Sequence, residues 1–308
     1  MNYCNIDPLL PDPIRVFVAS TPAEWLPVRV LEFSIKESTS LPVELSAIYN
    51  SNRAIPTPLA IQNRPRTPFS FQRFLIPELC EFKGKAIYLD ADMQVFQDIG
   101  ELWNQDFAEC DLQAVQDGIN GRRGQFSVML LDCQKLRWNV DQVVADLDAG
   151  KLDYSALMYE MRVAQKIGRD ISPNWNSLEY YEKGETCLLH YTDMNTQPWI
   201  STANPLGHLW VSCLKRALNC GFISRAEVEQ EIASGHVRPS LLAQIDESLE
   251  FSVTLPASLR KLDRNFVAPY RKLHTGKSRP WTSLRSAITA FLRRNYYQSR
   301  LPIIFNRN

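Results

Sequence analysis

Between Ile14 and Asp90 the hydrophobic pattern alternates between short apolar runs and helical spacing. No other feature constrains the fold as strongly. "IRVFVAS" (Ile14–Ser20) reads as an apolar strand. "PAEWLPVRVLEFSIKES" then sets Leu26, Val30 and Phe33 at helical spacing, with Pro27 near the first turn, where proline is tolerated. "VELSAIY" (Val43–Tyr49) reads as a second strand, and residues 50–68 as a long loop rich in Pro, Asn, Arg and Ser. "FSFQRFLIPELC" is expected to be helical, bent or shortened by Pro77, and "KAIYLD" closes the series as a third strand. A β-α-β-α-β order implies a parallel, three-layer α/β sheet, in which ligands bind beyond the carboxyl ends of the strands. Further strands are expected at 111–116 and 126–132, and helices over Gln134–Leu147 and Tyr154–Ile167. The second half is more helical: "GHLWVSCLKRAL" precedes "SRAEVEQEIASG", where Ser224 and Glu227 form a capping-box signature.

The third strand delivers Asp90 and Asp92 to its end, one small residue apart. Charged groups are costly to bury without a partner. Two acids at this spacing can reach one hard cation, and Mg²⁺ or Mn²⁺ take oxygen ligands and fill remaining positions from substrate phosphates. A solvated turn is the plainer reading of an isolated Asp-x-Asp, but here the apolar stretch "MQVF" follows at once, and Asp98 then opens a helical turn.

Composition narrows the setting. The 308 residues are 45% hydrophobic and 22% charged, enough for one large core or two smaller ones. Seven cysteines without a CxxC pair fit free thiols in a reducing cytosol. "MNYCNIDPLLPDP" has no basic region followed by an apolar run, so no signal peptide is expected, and no apolar run reaches the length of a membrane-spanning helix.

The segment "AIYLDADMQVFQDIGELW" resembles glycosyltransferases of family 8, the retaining group with the GT-A fold, in which a strand of type "YLDAD" leads into "VFxDIxELW". "LLHYTDMNTQPW" (188–199) resembles a second family segment, His-aromatic-x-Gly-x-x-Lys-Pro-Trp. "IRVFVAST", "TPFSFQRFLIPEL" and "SVMLLD" extend the likeness over roughly residues 14–200. The resemblance implies an α/β, GT-A type Rossmann-like mixed sheet flanked by helices, with a mainly helical C-terminal region. The divisions expected are a catalytic domain over 1–205, a helical region over 206–263 and a basic tail over 264–308. The activity implied is metal-dependent, retaining transfer of a sugar from a UDP-sugar donor to a glycan or lipid-linked acceptor. Asp90, Asp92 and His190 would hold Mn²⁺ or Mg²⁺. Ala19, Ser20, Thr21, Arg73, Asp90, Gln125 and Gln197 would line the donor site, and Asp153 and Tyr154 the reacting sugar. "NWNSL" (174–178) resembles a segment lining the family's cleft, with Trp175 either in that cleft or in the core.

Six departures accompany the likeness. Gln197 stands where the family has a lysine that contacts diphosphate, Asp193 replaces a glycine, and the spacing from His190 to Pro198-Trp199 is one residue longer. The family's Asn-Ser/Ala-Gly is here Gln125-Phe126-Ser127, and its "DQD" best matches Asp153-Tyr154-Ser155. The usual acid after the first strand is not found in "AST". Metal-diphosphate binding is therefore expected to be kept and the sugar and acceptor pockets altered. Arg122 and Arg123 are candidates to replace the lysine, beside the plainer reading of a solvated loop. A non-catalytic nucleotide- or glycan-binding protein on the same fold is the alternative. A nucleotidyltransferase is disfavoured, because "ASTPAEW" has neither the glycine nor the lysine of its phosphate loop.

The formal net charge of zero hides an asymmetry. Residues 264–308 carry ten Lys and Arg and no acid, which leaves 24 bases against 34 acids before them. In "TSLRSAITAFLRRNYYQSR" (282–300), Leu284, Ile288, Phe291, Leu292 and Tyr296 fall on one helical stripe among arginines. A basic amphipathic helix with aromatics is expected to lie on an anionic membrane surface. Together with the cysteines, this predicts a cytoplasmic protein peripherally associated with the cytoplasmic face of a membrane. Tyr270, Trp281, Phe291, Tyr296 and Tyr297 interleave with bases as in some nucleic-acid binders, but that reading leaves the Asp-x-Asp and His190 unexplained, so no nucleic-acid partner is expected.

Overall fold

The computed structural model describes residues 12–116 and 126–273. The chain divides into two compact units, Met1–Thr192 and Asp193–Asn308. The sequence had placed divisions at 205 and 263. Gln125, Arg122 and Arg123 and the helix expected over 282–300 lie outside the described residues.

The first unit runs β1 (Ile14–Ala19), α1 (Trp25–Ser38), β2 (Val43–Ala47), α2 (Ile76–Leu79), β3 (Lys85–Asp90), β4 (Met93–Val95), α3 (Ile99–Trp103), β5 (Leu112–Val115), β6 (Val128–Asp132), α4 (Val140–Asp148), α5 (Tyr154–Met158), β7 (Ile167–Ile171), β8 (Ser177–Leu178) and β9 (Leu188–His190). Six of the strands form one sheet in the order β2-β1-β3-β6-β5-β7. β1 pairs in parallel with β2 and β3, whereas β6 runs antiparallel to both β3 and β5. The sheet is therefore mixed, as the resemblance implied, and not parallel throughout. Strand direction leaves no trace in hydrophobic period, which is the same either way.

The three layers follow from the pleat, since alternate residues of a strand point to opposite faces. On β3, Ala86 and Tyr88 enter the core beneath α4 and α5, while Ile87 and Leu89 enter the core under α1 and α3. All four are fully buried. Helix α1 seats itself through Leu31 and Ile35 more than through Phe33, which stays half-buried. Its Ser34 also accepts a hydrogen bond from the Val95 N–H at 3.0 Å, tying β4 to the helix.

Several expected elements are shorter than their patterns. Ile48 and Tyr49 leave β2 for a 3₁₀ turn that ends at Asn52 in left-handed backbone (φ 54°). "FSFQRFLIPELC" holds 3₁₀ turns (Gln72–Leu75) and one turn of α-helix. The helix expected from Gln134 starts at Val140. Asp132 folds 134–135 into a turn through its side chain, and the Asn139 side chain caps the helix at 3.0 Å. The helix expected to reach Ile167 ends at Met158, before Met161 turns left-handed (φ 51°). Ile167 begins β7 instead.

The described part of the second unit is helical: α6 (Gly207–Asn219), α7 (Arg225–Ala233), α8 (Ser240–Asp246), α9 (Ala257–Arg260) and α10 (Pro269–Leu273). The capping box at Ser224 and Glu227 forms as read. None of the described helices is long and apolar enough to cross a membrane.

Candidate metal and donor site

Strand pairing assembles the site. Ala19 stands beside Asp90 where β1 and β3 end. The chain crosses the sheet between β2 and β3, passing over β1, and such a switch opens a crevice at the carboxyl ends. Beyond it, β4 and β9 pair antiparallel with Met93 opposite His190, and the Tyr191 N–H donates to the Asp92 carbonyl at 2.8 Å. This short ladder brings a histidine about a hundred residues away onto the acid pair. His190 Nε2 lies 3.0 Å from Asp92 Oδ1 and 4.0 Å from Asp90 Oδ2. One ligand atom from each of the three residues falls within 4.8 Å of the others.

His190 and Asp90 are held from behind. His190 Nδ1 is 2.9 Å from Asn176 Oδ1, and both side chains are buried. An amide oxygen accepts only, so Nδ1 donates to Asn176, and Nε2 faces the carboxylates, donating to Asp92 when the imidazole is charged and offering a lone pair when it is neutral. Asp90 Oδ1 accepts from the Tyr88 hydroxyl and sits 3.5 Å from Arg73 Nη2. Arg73 also stacks on the Tyr88 ring at 4.6 Å and donates to the Phe126 carbonyl at 2.8 Å. Burial drives the Tyr88 hydroxyl pKa well above its ordinary value, Arg73 opposing and Asp90 adding to the rise. For His190 burial disfavours the charge, but the carboxylates of Asp92 and Asp90 outweigh it and hold the imidazole pKa above its ordinary value. Such a donor set of two carboxylate oxygens and one imidazole nitrogen fits a divalent cation.

Phe71, just before the 3₁₀ turn, and Gln72 and Arg73, its first two residues, organise the surroundings. Phe71 packs on the Tyr154 ring. Gln72 clamps Ser20, accepting from its N–H and donating to its carbonyl, both at 2.9 Å. Arg73 reaches Asp90. The buried Ser20 Oγ and Arg73 Nε have no hydrogen-bond partner among the described residues.

Thr21 and Glu24 form a capping box: the Glu24 carboxylate accepts from the Thr21 N–H at 2.8 Å and from its hydroxyl. Burial raises the Glu24 pKa, Thr21 opposes, and the charge of Asp92 adds to the rise. An acid does stand after β1, therefore, two residues beyond Pro22; the Thr-x-x-Glu spacing was the signal for it. Asn176 was likewise missed, although its neighbour Trp175 was noted; Trp175 is core.

Asp153 and Tyr154 make local contacts in the fold. Asp153 caps α5, accepting from the Ala156 N–H at 2.8 Å. Tyr154 is buried against Phe71, Tyr159 and the Arg66 guanidinium. Among the described contacts neither touches Asp90, Asp92 or His190. Gln197 is buried in the second unit, in a turn where the Ile200 and Ser201 N–H groups donate to its carbonyl.

Residues 34–151 match the family model described as Glycosyl transferase family 8. Protein CDI of Arabidopsis thaliana is 36% identical over 102 residues, 32% of this chain, and the chain spans 39% of the length of that relative. Similar solved structures include galactosyltransferase LgtC in complex with donor and acceptor sugar analogues (13% identity, TM-score 0.47, 64% of this chain and 94% of that one). The glycosyltransferase GlyE of Streptococcus pneumoniae TIGR4 is 17% identical at a TM-score of 0.48, over 78% of this chain and 65% of that one. Mouse xyloside xylosyltransferase 1 is 11% identical at a TM-score of 0.41, over 60% and 98%.

Proposed function

We propose that this chain, which carries a family 8 glycosyltransferase segment at residues 34–151, transfers a sugar from a UDP-sugar to a glycan or lipid-linked acceptor with retention at the anomeric carbon. The convergence of Asp90, Asp92 and His190 at the carboxyl end of β3 carries this reading. These residues would hold Mn²⁺ or Mg²⁺, which supplies Lewis-acid stabilisation of the leaving diphosphate. Asp90 serves the cation and the donor together. Its Oδ2 faces His190 while Oδ1 is fixed by Tyr88 and Arg73. The Arg73 guanidinium adds fixed positive charge beside the phosphates. The backbone of Ala19, Ser20 and Thr21, locked by Gln72, forms the floor beside Asp90. Asp153 and Tyr154 are the candidates near the reacting sugar, and Gln125 and Gln197 further donor contacts. Calorimetry of UDP binding with Mn²⁺ and with chelator, then UDP release from a panel of UDP-sugars, tests the reading. Equal UDP affinity in both conditions sinks the metal site.

A non-catalytic binder is the second reading, favoured by Tyr154, whose ring packs into the core where the family pattern presents an amide. Mn²⁺-dependent UDP binding without release from any donor in the panel selects it. The charge and stripe of residues 264–308 favour attachment to an anionic membrane at the cytoplasmic face. Salt-sensitive co-sedimentation with anionic vesicles, lost on truncation after Asp263, is the expected result. Equal sedimentation of the full and truncated chains rules out the tail as anchor.

A further inference from the structure

The second unit holds a polar cavity of about 210 Å³ between the loop Asn195–Thr202 and the segment Asp263–Arg271. We infer that this cavity is a saccharide-binding site that takes one pyranose ring of a neutral glycan. Its polar groups are held in place. The Tyr270 hydroxyl donates to Asn195 Oδ1 at 2.7 Å and accepts from Arg271 Nε at 2.8 Å. Asp263 accepts from the Ser240 N–H at 2.8 Å and from its hydroxyl at 2.6 Å. Those two bonds occupy half of the about four lone-pair positions of a carboxylate. Ser201, Thr202, Phe266 and Tyr270 also line it, the Tyr270 ring carrying the Arg271 guanidinium at 5.7 Å.

The mixture selects the ligand. Arg271 opposes a cation and Asp263 a polyanion. An apolar molecule would cover donors and acceptors without satisfying them, which costs free energy. A pyranose instead presents hydroxyls that donate and accept, together with C–H faces that lie on aromatic rings. The volume falls below the roughly 300–1,000 Å³ of pockets for drug-sized ligands, so one ring fits better than a nucleotide. Binding itself is independent of the transfer reading; only its use, seating part of a glycan acceptor, rests on that reading.

Saturation-transfer NMR on the full chain tests the site, with methyl glycosides of glucose, galactose, mannose, xylose and N-acetylglucosamine at millimolar concentration. UDP–Mn²⁺ affinity is measured in parallel. At least one glycoside should give a signal on the unaltered protein. Tyr270→Ala should weaken it about tenfold or more, and Thr202→Trp, which fills the cavity, should abolish it. Both variants should keep their UDP affinity. No glycoside signal on the unaltered protein, or an undiminished signal in Thr202→Trp, overturns the inference. So does displacement of the glycoside by inorganic phosphate at equal concentration. Glycoside binding without UDP binding leaves this site standing and removes the transfer reading instead.

Discussion

Each unit buries charge, and the two do so differently. In the second unit the fully buried Arg238 is met by neutral acceptors. Its Nε donates to the Pro198 carbonyl at 3.0 Å, Nη1 to Ser240 Oγ at 2.5 Å, and Nη2 to Gln244 Oε1 and to Ser252 Oγ. Burial pushes its pKa down to about 10, with Asp263 opposing. Its own N–H also donates to the Trp199 carbonyl at 2.8 Å. Here the charge is consumed by the fold, pinning Pro198 and Trp199 to α8. In the first unit, Asp90 and His190 are restrained on their outer atoms, while inner atoms of Asp90, Asp92 and His190 crowd one point. Like charges brought together at a cost to stability are what a cation-binding site requires. A buried charge thus reads as structural where its partners exhaust it, and as functional where its held atoms leave others converging.

Arg238→Ala should give the largest stability loss, at least about 3 kcal/mol in urea unfolding, because several buried acceptors lose their donor at once. A loss below about 1 kcal/mol breaks the comparison from its structural side. Asp92→Asn should do the reverse. Its unfolding free energy should stay within about 1 kcal/mol of the unaltered protein, while Mn²⁺-dependent UDP binding falls at least tenfold, the scale seen even for losses behind the ligands. Full Mn²⁺ dependence in that variant means the site is misassigned.

Asn176→Leu sharpens the same side, since it removes the acceptor that sets the His190 tautomer. Mn²⁺ affinity followed by electron paramagnetic resonance should drop about tenfold, and an unchanged affinity would leave Asn176 a packing residue. Asp153→Ala should cost about 1 kcal/mol of stability as a lost cap, while Asp153→Asn keeps the cap. Reduced UDP release with Asp153→Asn gives the carboxylate a role beyond capping, and unchanged release returns it to the fold.

Glu24→Gln carries the smallest effect. The Glu24 pKa is raised in the folded state, so the folded protein holds that proton more tightly than the unfolded chain. Stability from this group is therefore present below the ordinary glutamate pKa and declines as pH rises through the folded-state value. The Gln variant keeps the capping box and should be more stable by up to about 1 kcal/mol near pH 7, and equal near pH 4. An equal gain at both pH values would show that the folded state does not hold the Glu24 proton more tightly.

The sequence determined what is local. Apolar runs and helical spacing marked β1, α1 and β3, because burial follows a period of two in strands and 3.6 in helices. Caps at Ser224 and Asp98 were legible from residue type and spacing. Asp90, Asp92 and His190 were legible as a set through the two motifs that carry them, although 100 or so residues separate their ends. Helix lengths were less so. Asn139 and Asp132 offered the backbone a competing turn, and Met161 entered a left-handed conformation that no apolar pattern announces. Only the tertiary structure decided the antiparallel run of β6, the register that sets Met93 opposite His190, and the arrival of Asn176 behind that histidine. Each of these is a contact between distant segments, set by pairing and packing in three dimensions, and hydrophobic period carries no record of which strand lies beside which.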